Sequence, residues 1–147
     1  MRAAMEHVIA AEAERLQAIA DAVTLQGSMS LEQGVEALIA WQMSLLEERR
    51  QAQFAEFELF LRMARTAPSL DELPSWTSAF RAVARQALEQ LGSDDPEHDA
   101  YALVALTHGL VLHALTTAEP DYPERVLAPV LRDWFALKLG TRAAAGR

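Results

Sequence analysis

The 147-residue chain is 51% hydrophobic, with six Gly, six Pro and no Cys. That composition suits one helical domain burying roughly two-thirds of its unfolded surface, and it excludes disulfides, thiolate metal sites and cysteine nucleophiles. Thirteen Lys plus Arg against 21 Asp plus Glu leave a formal net charge of −8; no segment gathers enough basic residues to offset a phosphate backbone, so direct nucleic-acid binding is disfavoured.

Glu6, Glu12 and Glu14 interrupt the start of the chain where a signal peptide needs an unbroken apolar core. No later run reads as long enough to cross a bilayer, so a soluble cytoplasmic protein is expected. Met5, Val8, Ile9, Leu16, Ile19 and Val23 recur at helical spacing and predict a first helix over about Ala3–Leu25. Gly27 then offers a left-handed helix end. Ser30 and Gln33 stand at capping-box spacing before a second helix bearing Leu31, Val35, Leu38, Ile39, Gln42, Leu45 and Leu46, which reaches about Glu48. The polar run Glu47 to Gln51 predicts a break. Together with Glu32 and Glu36, its Glu47, Glu48, Arg49 and Arg50 read as a solvated face.

Phe54, Phe57, Phe60, Leu61 and Ala64 define a third helix ending near Ala67-Pro68. Ser69 and Glu72 again have capping-box spacing, and Pro74 suits a first turn, so a fourth helix is predicted over Leu73–Leu91 and stopped by Gly92. Asp95-Pro96 pairs an N-cap with a first-position proline and opens a fifth helix to about Thr117.

One stripe of that fifth helix holds Tyr101, Val104, His108, Val111 and Leu115, and a nearly opposite one holds Leu103, Thr107, Leu110 and Ala114. Between them lie the small Ala102, Ala105 and Gly109. A helix apolar nearly all round needs cover nearly all round, more than a single small bundle supplies, so a homodimer is expected. A last helix from Tyr122 to Leu139 carries Val126, Leu127, Val130, Leu131, Trp134 and Phe135, with a kink or restart at Pro129. Residues 1–140 thus read as one domain and 141–147 as a flexible tail.

FAEFELFLRMARTAPSL (Phe54 to Leu70) and DAYALVALTHGLVLHALTTAEP (Asp99 to Pro120) together resemble the regulatory domains of TetR-type (tetracycline-repressor-like) regulators. The first is similar to the family's aromatic-rich helix with its Ala-Arg-x-x-Pro-like turn. The second is similar to its long penultimate helix, with the Thr107-His108-Gly109-Leu110 element. The resemblance implies an all-α bundle of about six helices that dimerises through its last two as an intermolecular four-helix bundle, with a small-molecule pocket among the middle helices. It also implies a helix-turn-helix preceding Met5, which this sequence lacks. The chain is then a fragment or a natural antagonist that pairs with a full-length relative and leaves one DNA-reading half.

The chemistry read from side chains is sparse. No Glu-x-x-His pair recurs on two helices, so a ferritin-like metal site is set aside, and no catalytic constellation or cofactor site is visible. His7 and His98 read as structural. The candidate ligand-binding residues are Trp41, Gln42, Phe57, Phe60, Trp76, Phe80, Tyr101, Val104, His108 and Val111: aromatic walls with His108 and Gln42 as polar anchors, against the plain alternative of a filled core. The candidate dimerisation residues are Leu103, Leu106, Leu110, His113, Ala114, Leu127, Val130, Leu131 and Trp134. A small, largely apolar effector bound without catalysis is the leading expectation. A dimerising antagonist with no effector is the second and an enzyme the third.

Overall fold

A computed structural model describes residues 2–66 and 76–145. Among these the chain forms six α-helices and no strand: α1 (Arg2–Val23), α2 (Leu31–Glu48), α3 (Arg50–Thr66), α4 (Trp76–Gln90), α5 (Pro96–Thr116) and α6 (Ala128–Ala145). The proposed Ala67-Pro68 end of α3, the Ser69–Glu72 cap and the Leu73-Pro74 first turn lie outside the described residues.

The helices begin and end where the caps are. Ser30 Oγ accepts from the Gln33 amide at 3.2 Å, and Gln33 Oε1 accepts from the Ser30 amide at 2.8 Å, closing the reciprocal box ahead of α2. Asp95 Oδ1 accepts from the His98 amide at 3.1 Å and opens α5. Gly92, at φ +85°, ends α4 in a left-handed turn that returns the Ser93 amide to the Leu88 carbonyl at 2.8 Å. The predicted break between α2 and α3 is a single residue: Arg49 leaves helical geometry at φ −127°, ψ 23° while its amide still reaches the Leu45 carbonyl.

The break is solvated as expected at Glu47, Glu48 and Arg50, but Arg49 is half-buried, and both arginines are tied to other helices. The Arg49 guanidinium donates to Glu12 at 2.7 Å. Arg50 donates to the Leu115 carbonyl at 2.7 Å and the Ala114 carbonyl at 3.3 Å, satisfying acceptors that the end of α5 leaves open. Glu36 likewise pairs with Arg132 of α6.

α5 is the central helix, packed most extensively on α4 and also on α2 and α3; α1 covers α2 and α4, and α6 lies on α2. Contrary to the sequence reading, α5 is long and apolar enough, by length and composition, to cross a membrane. In this fold its apolar sides Leu103, Val104, Leu110, Val111, Ala114 and Leu115 are core. Its first turn is tied down by Asp99, which meets Lys138 of α6 and Ser93, each at 2.7 Å.

The kink expected at Pro129 is one turn of π-helix over Pro123–Leu127, where the Ala128 amide reaches back five residues to the Pro123 carbonyl. Pro129 has no amide to offer, so it falls where the wide register returns to the ordinary one. α6 then runs through Ala145, into the stretch read as a tail.

Candidate ligand-binding cavity

α1 to α5, together with Phe135 of α6, line a mostly apolar, partly open cavity of about 130 Å³. α2 contributes Leu38, Trp41, Gln42 and Leu45, α3 contributes Gln53, Glu56, Phe57 and Phe60, and α4 contributes Phe80, Val83, Ala84 and Ala87. α5 closes one side with Leu103, Val104, Thr107, His108 and Val111. Phe57 and Phe80 meet the His108 ring edge-to-face at 6.3 and 6.2 Å.

Eight of the ten expected ligand residues therefore share one cavity: Trp41, Gln42, Phe57, Phe60, Phe80, Val104, His108 and Val111. Tyr101 does not line it. It sits two turns from His108, roughly 10 Å along α5, where it is 53% exposed and lies under the Arg81 guanidinium at 4.1 Å. Trp76 opens α4, but its side chain lies outside the described ones.

The expected pairing residues separate in the same way. Leu103, Leu110 and Ala114 are buried, and Leu127 and Leu131 have no exposed surface at all, so these five are the protomer's own core and not a free face. Leu103 is in addition a cavity wall. Leu106, Val130 and Trp134 are half-buried, and His113 is exposed, stacked on Tyr122 at 4.8 Å. What α5 leaves open is the strip Tyr101, Ala105, Gly109, Leu112 and Thr116, close to the small-residue side predicted to admit another helix.

The polar groups of the cavity are few and strained by burial. Gln42 is 5% exposed, and its amide makes no hydrogen bond among the described residues. Trp41 Nε1 is buried without a partner there as well. Each such group forfeits about 1–3 kcal/mol until something pairs with it. Burial lowers His108 to a pKa of about 4, so the ring is neutral near pH 7. Burial first, then the neighbouring Glu12 carboxylate, raise Glu56 to about 7 against the opposing pull of Arg49. Burial also raises Glu12, although Arg49 partly offsets the effect. Among the described residues no cluster of three His, Asp or Glu side chains could hold a metal ion.

Sequence reasoning missed the α1 wall, made by Ile9, Glu12, Leu16, Ile19 and Val23. The signal was present: Ile9, Glu12, Leu16, Ile19 and Val23 follow at three- and four-residue steps, so Glu12 interrupts an otherwise apolar stripe. Gln53 and Glu56 flank the Phe57–Phe60 stripe of α3 in the same fashion.

Comparison with known proteins finds no match among curated proteins and none among solved structures. A family model described as "Tetracyclin repressor-like, C-terminal domain" matches residues 29–137, which takes in α2 through most of α6 and all of the cavity wall except its α1 side. The chain belongs to that family of regulatory domains.

Proposed function

We propose that this chain is the effector-sensing and pairing part of a cytoplasmic TetR-like transcriptional regulator, binding a small, largely apolar molecule without catalysis. The observation that carries the reading is a cavity walled by aromatic side chains whose buried Gln42 amide has no partner. An apolar cavity of roughly 150 Å³ takes a benzene-sized guest, so the partly open 130 Å³ here holds about one ring, with any short substituent lying towards the opening. Pairing is assigned to the open strip of α5 with Leu137 of α6, an exposed leucine on the neighbouring terminal helix.

Trp41 lines the cavity and serves as the reporter. Titration with one-ring aromatics is expected to change its fluorescence and, at a hundred times the dissociation constant, to stabilise the fold by about 2.7 kcal/mol. Val104→Phe fills the same space and is expected to abolish both responses. Persistence of both in the filled variant overturns the assignment of the cavity.

A further inference from the structure

We infer that the cavity selects a small protonated amine, with the ammonium group against Glu56 and the apolar body among the α2, α3 and α5 side chains. The inference rests on the cavity being an effector site and names the ligand's class.

The charged groups around Glu56 are unevenly matched. From α1, Glu12 lines the same cavity, and its carboxylate is taken by Arg49 at 2.7 Å. From the α2–α3 break, Arg49 is the cation whose charge favours the ionised form of both acids, and from α3 itself Gln53 donates to Glu56 only at 3.4 Å. Arg15 acts on Glu12 from the exposed side of α1, where water screens it. α5 brings His108, neutral near pH 7, and the lining residues of α4 are uncharged. Two carboxylates therefore share one buried-side guanidinium, and a ligand cation would complete the set.

The second, independent observation is Gln42. An ammonium group carries three donors, and one carboxylate does not use them all. Gln42, a residue only 5% exposed and without a side-chain hydrogen bond among the described residues, lines the same cavity, so its carbonyl is an acceptor placed on the wall. Phe57 and Phe60 stand one position and one turn after Glu56 on α3, so the same helix face presents a carboxylate and two rings, the usual surroundings of an organic cation. The chain's net charge of −8 draws cations towards it in general.

The decisive experiment is calorimetric titration of the full chain with benzylamine and with its neutral analogue benzyl alcohol, at pH 8 and pH 6. At pH 8 benzylamine is expected to bind at least tenfold more tightly than the alcohol. Because Glu56 is mostly protonated at pH 6, the benzylamine constant should weaken about tenfold there while the alcohol's stays constant. Glu56→Gln should bring the two ligands within about twofold of each other at pH 8. Equal binding of amine and alcohol by the wild-type chain, or an amine preference that survives in Glu56→Gln, overturns this inference and leaves the effector site standing. If neither probe binds, the effector site itself falls.

Discussion

His108 and Glu56 face the same cavity and respond to acid in opposite senses. The folded pKa of His108, about 4, lies below the ordinary 6.5, so the unfolded chain takes up that proton first. Its contribution to stability is whole above pH 6.5 and is lost as pH falls towards 4. Glu56, raised from 4.5 to about 7, contributes stability that is whole below pH 4.5 and is lost as pH rises through 7. Each displacement corresponds to at most about 3 kcal/mol at roughly 1.4 kcal/mol per tenfold, and partial exposure of both groups reduces that to about 1–3 kcal/mol. Between pH 4.5 and 6.5 the two slopes oppose each other, so the wild-type chain hides them. Urea unfolding at pH 6.5, 5.5 and 4.5 should separate them. Relative to wild type, Glu56→Gln should lose about 1–2 kcal/mol on acidification across that window, and His108→Gln should gain a similar amount. Taking the difference from wild type removes the contribution of Asp99, which is common to all three proteins, while Glu56→Gln also relieves Glu12 of its charged neighbour. Three parallel stability curves would refute the claim that burial in the cavity perturbs these groups.

A Cβ on Gly34 would run into the Val23 side chain where α1 crosses α2. Gly34→Ala should therefore lower stability by about 1–2 kcal/mol in urea despite its better helix propensity, and Val23→Ala should restore most of the loss. Removing the Arg50 clamp with Arg50→Met should cost about 1–2 kcal/mol and speed amide exchange in the last turn of α5, because the Ala114 and Leu115 carbonyls lose their charged donor. A Cβ on Gly109 meets nothing within 4 Å in the protomer and the position is exposed, so the thermal midpoint of Gly109→Leu should hold or rise. Its dimer constant in sedimentation analysis should weaken at least tenfold if the open strip of α5 is the pairing face, and an unchanged constant would place the partner elsewhere.

The parts of this fold that were legible in the sequence are those governed by local rules. Ser30 with Gln33, Asp95 with Pro96, and Gly92 act within one turn, and their geometry is what residue type and spacing dictate. The aromatic walls were legible for the same reason, since Phe57, Phe80 and His108 lie on apolar stripes that must turn inwards. What was not legible depends on which helices meet. Leu103 and Val104 are neighbours on α5, and only the packing of the surrounding helices makes both cavity walls. Leu127 and Leu131 read equally well as a partner's contact or as protomer core, because periodicity reports burial and not by what. The acceptors of Arg49 and Arg50 were not legible because each lies more than 35 positions away in the chain.

Those two arginines join the site to the rest of the domain. They are adjacent at the one-residue break between α2 and α3, and they reach in different directions: Arg49 to Glu12 on the cavity wall, Arg50 to the last carbonyls of α5. α5 in turn has one side in the cavity, through Val104, His108 and Val111, and another open to solvent, through Ala105, Gly109 and Leu112. A ligand that draws on Glu56 competes for the field of Arg49 at the junction that also holds the end of α5. Any guest in the cavity presses on a side of the helix that adjoins the open strip. An effector in the cavity and a partner on the open strip would thus act on one rigid element, and the coupling between them could be no larger than the difference in the effector's affinity for two positions of α5.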